Sequence, residues 1–99
     1  MDGSHTIDES FDITSRTLNK VLDQLDENNV SLQGIVLKPN MILSGYSCSY
    51  QASIEEVAEK TVNCLSVHVP SEVPGIAFLS GGQSDEHATL HLNLSLIHI

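Results

Sequence analysis

The sequence predicts an α/β fold that is part of a TIM (β/α)8 barrel, with the order helix, strand, helix, strand, helix. Helically spaced apolar residues alternate with two short apolar runs, and the connections are long enough for parallel crossovers. Two parallel strands cannot form a domain, and 99 residues fall well short of the roughly 250 that such a barrel needs. We therefore interpret the chain as a fragment of a longer protein, called the parent below.

The first third of the chain predicts one helix and one buried strand. Apolar residues recur at helical spacing from about residue 9 to residue 27, where Asn28 and Asn29 offer a stop. The segment Val30–Leu37 has an apolar core and predicts a short buried strand. Because a proline disfavours the α conformation in the residue before it, Lys38 is expected at the carboxyl end of this strand.

The remainder predicts two further helices around a second strand. After a polar loop at Met41–Ala52, Ser53 and Glu56 form a predicted capping box for a helix that reaches about Val67. The apolar run Gly75–Leu79 predicts the second strand. Ser84 then caps a third helix, although the alternation of Leu90, Leu92 and Leu94 with polar residues would also suit a strand.

Charge and composition exclude several classes of function. The net charge of −9 comes from 13 acidic against 4 basic residues, so the chain has no basic stripe for a nucleic acid and an anionic membrane surface would repel it. The amino terminus has neither the basic region nor the apolar run of a secretory signal. Two cysteines without metal-ligand spacing suit reduced thiols, so we expect a cytoplasmic protein.

Two features could carry chemistry. A lysine at the carboxyl end of a barrel strand lies on the rim where barrel enzymes place catalytic groups, although from position alone a Lys38 that simply extends into solvent without a role is the more common case. Ser80, Gly81 and Gly82 follow the second strand and precede a helix, where backbone N–H groups suit a phosphate, although a plain turn is the alternative. Together they suggest a site for a phosphorylated carbonyl compound.

Two long segments carry a family resemblance. Leu32–Met41 resembles the active-site segment of class I fructose-bisphosphate aldolases, and Val73–Ser84 resembles their phosphate-binding segment. Asp2–His5 and Ala88–Asn93 resemble flanking family sequence, so the likeness covers about residues 1–94. The last five residues, 95–99, do not match, and we interpret them as an artefactual tail without function.

The resemblance implies a reaction and its residues. Lys38 would be the lysine that forms a Schiff base with the sugar, and Leu79, Ser80 and Gly81 would belong to the loop that holds a substrate phosphate. The implied reaction is the reversible cleavage of fructose 1,6-bisphosphate in glycolysis and gluconeogenesis, without a metal or other cofactor. The family's acidic proton-shuttling residues, a second active-site lysine and a phosphate-binding arginine lie outside this chain. The isolated fragment is therefore expected to be inactive, and the parent to be a homotetramer.

Other interpretations stay open at this stage. The chain could be a non-catalytic phosphate-binding or structural remnant of such a barrel, or belong to a Schiff-base aldolase that acts on a smaller sugar phosphate. His87 and His91 have a spacing that could hold a metal ion, but no third ligand is placed nearby, so we interpret both as exposed helix positions. Cys48 and Cys64 have no adjacent base and are interpreted as unreactive thiols.

Overall fold

A computed structural model describes residues 3–79 and 82–97 of the chain. Its elements follow the predicted order and are α1 (Ile7–Glu27), β1 (Val36–Leu37), α2 (Ile54–His68), β2 (Gly75–Ile76) and α3 (Asp85–Ile97). The two strands pair in parallel, and α2 packs against both α1 and α3. No helix in this part of the chain combines the length and apolarity that crossing a membrane requires.

Helix α1 begins earlier than the apolar pattern predicts. The Thr6 hydroxyl accepts a hydrogen bond from the Glu9 backbone N–H (3.2 Å), and the Glu9 carboxylate accepts from the Thr6 N–H (3.2 Å). This reciprocal capping box satisfies two N–H groups that the helix cannot pair internally. The helix therefore starts at Ile7, two residues before the predicted start, and Ile7 is buried.

The predicted capping box of α2 forms only in part. Ser53 caps the helix by accepting from the Glu56 N–H (3.1 Å). The Glu56 carboxylate is bonded to the Tyr50 hydroxyl (2.7 Å), which belongs to the preceding loop. This bond and the negative charge of Glu56 raise the pKa of Tyr50. The predicted end of the helix near Val67 is confirmed, because α2 ends at His68.

The prediction of a buried strand over Val30–Leu37 is wrong in extent and in burial. Leu32–Gly34 forms a single 3₁₀ turn, and only Val36–Leu37 is strand. Val36 is 66% exposed. In a closed barrel, side chains of other strands and helices, which this chain does not supply, would cover that face. The second strand is also shorter than Gly75–Leu79, with regular pairing at Gly75–Ile76 and one further bridge at Leu79.

The prediction of a polar loop at Met41–Ala52 is wrong for its first four residues. Met41, Ile42, Leu43 and Ser44 are all buried, with exposed fractions of 7% or less. Met41, Ile42 and Leu43 belong to a hydrophobic core that also contains Leu18 of α1 together with Val57 and Cys64 of α2. The segment that follows Lys38 is therefore anchored in the core rather than free in solvent.

A buried hydroxyl on α2 holds this segment, and its removal gives a testable prediction. Thr61 is 1% exposed, and its hydroxyl accepts a hydrogen bond from the backbone N–H of Ile42 (3.0 Å), which is equally buried. Thr61→Val keeps the shape but leaves the N–H of Ile42 without a partner, so we expect a loss of about 1–3 kcal/mol in the free energy of unfolding. Denaturant unfolding of the parent measures it, with Thr61→Ser as the matched control that keeps the hydroxyl. Equal losses in the two variants would contradict this role.

Candidate active site

Lys38 lies immediately after β1, at the carboxyl end of the strand. The carbonyl groups of its two neighbours, Leu37 and Pro39, accept hydrogen bonds from the backbone N–H groups of Ala77 (2.8 Å) and Leu79 (3.0 Å). These bonds fix the backbone of Lys38 against the β2 segment, while the lysine side chain is exposed. The backbone that bears the amine is therefore fixed by hydrogen bonds, but the described residues do not enclose the amine.

Leu79 reaches the same edge of the sheet. It forms a parallel bridge with Asn40, two residues beyond Lys38. The structure therefore brings Lys38 and Leu79 together at the carboxyl ends of adjacent parallel strands, which is the side on which barrel enzymes place their active sites. Ser80 and Gly81, which complete the predicted phosphate loop, lie outside the described residues.

The described end of this loop leads into α3. Gly82 has a φ of +83°, a left-handed conformation that a residue with a side chain rarely adopts. Ser84 caps the helix by accepting from the His87 N–H (3.2 Å), and Asp85 and Glu86 occupy the first turn. Because these carboxylates oppose an anion at the helix end, a phosphate would depend on the N–H groups of the loop more than on the dipole of α3.

Of the four basic residues in the sequence, Lys38 is the one that directly follows a strand. The other three basic residues of the sequence lie on helices, with Arg16 and Lys20 on α1 and Lys60 on α2. Arg16 pairs with Asp12 (2.9 Å), and Lys60 pairs with Asp8 (3.2 Å). None of these three residues belongs to the strand ends that form the candidate site.

The interpretation of His91 as an exposed helix residue is wrong. His91 is 7% exposed, and its Nδ1 is hydrogen-bonded to the side-chain oxygen of Gln83, which lies two residues beyond Gly81. The exposed His87 stacks on the His91 ring with centroids 6.2 Å apart. Among residues 3–79 and 82–97, no group of three or more potential ligands could hold a metal ion. The spacing of the two histidines thus reflects a packed imidazole and its exposed neighbour.

The environment of His91 predicts a pH dependence of stability. Burial, and then the nearby His87, lower the pKa of His91 from its ordinary value of 6.5. Just below pH 6.5 the unfolded chain accepts a proton that the native state resists, so stability falls as the pH drops below that value. We expect the unfolding temperature of the parent to fall more steeply from about pH 7 to about pH 5 than that of the His91→Asn variant. Equal slopes in calorimetry would contradict this.

Cys64 is a core thiol. It is fully buried on α2, and its Sγ lies 3.5 Å from the hydroxyl oxygen of Ser15 on α1. Burial raises the pKa of Cys64 more than the hydrogen bond to Ser15 lowers it. The protonated thiol is a poor nucleophile, which agrees with its interpretation as an unreactive cysteine.

Comparison with known proteins assigns the chain to a family by sequence. The model of the family described as Fructose-bisphosphate aldolase class-I (Glycolytic) matches residues 1–96. A probable fructose-bisphosphate aldolase class 1 from Xanthomonas axonopodis pv. citri is 56% identical over 93 residues, which are 94% of this chain and 28% of the relative. The chloroplastic fructose-bisphosphate aldolase 2 of Pisum sativum is 47% identical over 93 residues, 94% of this chain and 27% of the relative.

A solved structure gives the same answer for the fold. The fructose-bisphosphate aldolase of Plasmodium falciparum, crystallised with TRAP and a small-molecule inhibitor, superposes with a TM-score of 0.93 at 42% identity. The match covers 95% of this chain and 27% of that structure. The predicted partial barrel, with three helices and two parallel strands, is thereby confirmed. The chain spans about 28% of the length of the curated relative from Xanthomonas.

Proposed function

This chain belongs to the class-I fructose-bisphosphate aldolase family, and from that premise we propose that its parent is a fructose-bisphosphate aldolase of glycolysis and gluconeogenesis. The parent cleaves fructose 1,6-bisphosphate reversibly into dihydroxyacetone phosphate and glyceraldehyde 3-phosphate. The observation that carries this proposal is the place of Lys38, on a fixed strand end beside the β2 segment that leads into the phosphate loop.

Lys38 supplies the nucleophile of the reaction. Its neutral amine adds to the ketone carbon of the sugar, and loss of water leaves a protonated imine. When the carbon–carbon bond breaks, an acid–base residue of the parent outside this chain takes the proton of the hydroxyl on the departing carbon. The electron pair of the bond flows into the imine and gives an enamine, and the departing carbon becomes the carbonyl of the aldehyde product. Protonation of the enamine and hydrolysis of the imine then release dihydroxyacetone phosphate and restore the lysine. No external oxidant, metal or other cofactor enters this sequence of steps.

Leu79, Ser80 and Gly81 bind a substrate phosphate in this scheme. The bridge between Leu79 and Asn40 supports the assignment, because Asn40 comes two residues after Lys38. The bridge therefore holds the start of the loop beside the segment that carries the lysine. Backbone N–H groups and the serine hydroxyl donate to phosphate oxygens. A phosphate bound there positions the sugar carbonyl for attack, so that binding energy away from the reacting carbon contributes to catalysis.

The isolated chain is inactive in this proposal. The exposure of Lys38 supports it, since covalent catalysis by a lysine needs an enclosed site that holds the sugar against the amine. The remaining strands of the parent enclose the amine and supply the acids and cations that the family resemblance places outside residues 1–94. We further propose that the parent is a cytoplasmic homotetramer.

Covalent trapping distinguishes this proposal from its alternative. Borohydride reduction of the parent with dihydroxyacetone phosphate should fix the substrate on Lys38. A non-catalytic remnant of the barrel would bind phosphate but give no adduct, and an adduct on a different lysine would refute the assignment of Lys38.

A further inference from the structure

The side-chain amide of Gln83 connects the two halves of the candidate site. Its oxygen is bonded to Nδ1 of His91 on α3, and its nitrogen lies 3.7 Å from the sulfur of Met41. Met41 is 2% exposed and comes three residues after Lys38. Gln83 itself comes two residues after Gly81. One amide therefore spans from the end of the phosphate loop to the buried segment that follows the lysine.

His91 is the fixed end of this connection. It is buried on α3, and the ring of His87 stacks on its imidazole with centroids 6.2 Å apart. An amide oxygen only accepts hydrogen bonds, so Nδ1 of His91 must be the protonated nitrogen. Of the residues that line the cavity of about 250 Å³ beside His91, the only other titratable ones are His87 and Tyr46, and none is Asp, Glu, Lys or Arg. A neutral imidazole suits this environment.

We propose that His91, acting through Gln83, is a positioning residue for substrate phosphate in the aldolase reaction. The hydrogen bond holds Gln83, which directly follows Gly82, while the amide nitrogen of Gln83 contacts the buried Met41 three residues after Lys38. The residue at which the chain leaves the proposed phosphate loop is therefore fixed before the substrate arrives. Such preorganisation improves binding because the cost of ordering the loop is met on folding. This inference rests on the proposed function and adds a residue to it.

The test is a set of variants in the parent enzyme. His91→Leu removes the hydrogen-bond donor and fills its place with an apolar side chain of moderate size. We expect about a tenfold rise in both the KM for fructose 1,6-bisphosphate and the inhibition constant of inorganic phosphate. His91→Asn should restore both values to within about twofold, because Nδ2 of asparagine takes the place of Nδ1 of histidine. The matched control is His87→Ala, which changes the exposed neighbour and leaves both constants unchanged.

A double-mutant cycle identifies the route. Gln83→Met should raise both constants as His91→Leu does, and the double variant should be no worse than either single one, since both remove one interaction. If His91→Leu fails to fold, Gln83→Met alone carries the test, because Gln83 is only partly buried. Unchanged constants in Gln83→Met, or additive effects in the cycle, would overturn the proposal.

Failure of this inference can be told apart from failure of the proposed function. If the unmutated parent forms the reduced adduct on Lys38 but the Gln83 and His91 variants retain normal constants, only the positioning role is refuted. If the unmutated parent forms no adduct, the proposed function itself is refuted.

Discussion

Lys38→Met is expected to lower kcat/KM of the parent for fructose 1,6-bisphosphate by about 10⁴-fold or more, as loss of a covalent nucleophile does in other enzymes. Methionine has a similar length and fills the same space, but it has no amine to form the imine. Because the Lys38 side chain is exposed and its amine pairs with none of the described residues, the substitution should leave the fold intact. A coupled assay of aldehyde release measures the effect.

Lys20→Met is the matched control for this substitution. Lys20 is an exposed lysine on the middle of α1, remote in sequence from both strand ends. Its replacement removes the same charge and should leave kcat/KM within about twofold. Retention of activity in the Lys38 variant, or an equal loss in the Lys20 variant, would contradict the assignment.

Gly45→Ala is expected to destabilise the parent by about 2–4 kcal/mol, the sum of a steric clash and two weakened hydrogen bonds. A β-carbon on Gly45 would collide with the backbone carbonyl of Gly3, standing 2.6 Å from its carbon atom. That collision would separate two segments that are joined by bonds from the Gly45 N–H to the His5 carbonyl (2.9 Å) and from the Ser47 N–H to the Gly3 carbonyl (2.8 Å). Denaturant unfolding and the exchange rates of these two amides measure the loss.

Gly34→Ala is the control, because a β-carbon there meets no atom within 4 Å. It should change the free energy of unfolding by less than about 1 kcal/mol and could raise it by restricting the unfolded chain. Similar losses in the two variants would show that the close approach of Gly45 to Gly3 does not hold these segments together.

The helices were predictable because their signals are local. The serines at positions 53 and 84 begin α2 and α3 as expected, and the apolar stripe of α2 supplies Val57, Ala58 and Thr61 to the interior. Strand length and burial depend on neighbours distant in sequence, which explains the error at Val36. In an incomplete barrel, the strands and helices that would cover the apolar residues of a strand are missing from the chain, so these residues stay exposed.

The adjacency of the two segments that carry the candidate site was predictable, but the contacts that support them were not. The proline after Lys38 and the glycines after the second strand placed two segments on one edge, and the bridge of Leu79 to Asn40 agrees with that placement. The pairing of Gln83 with His91 depends on how α3 packs, and two histidines four residues apart do not reveal which of them is buried. The apolar run Met41–Leu43 was a signal that could have corrected the loop prediction.

The identity of the imine-forming residue is the central claim, and peptide mapping after borohydride reduction tests it most directly. The parent is reduced in the presence of dihydroxyacetone phosphate, digested and analysed by mass spectrometry, with the Lys38→Met variant and a reaction without reductant as controls. We expect one stoichiometric adduct, on the peptide that contains Lys38, and none in either control. An adduct on Lys20, on Lys60 or on a lysine elsewhere in the parent, or an undiminished adduct in the Lys38→Met variant, would contradict the account.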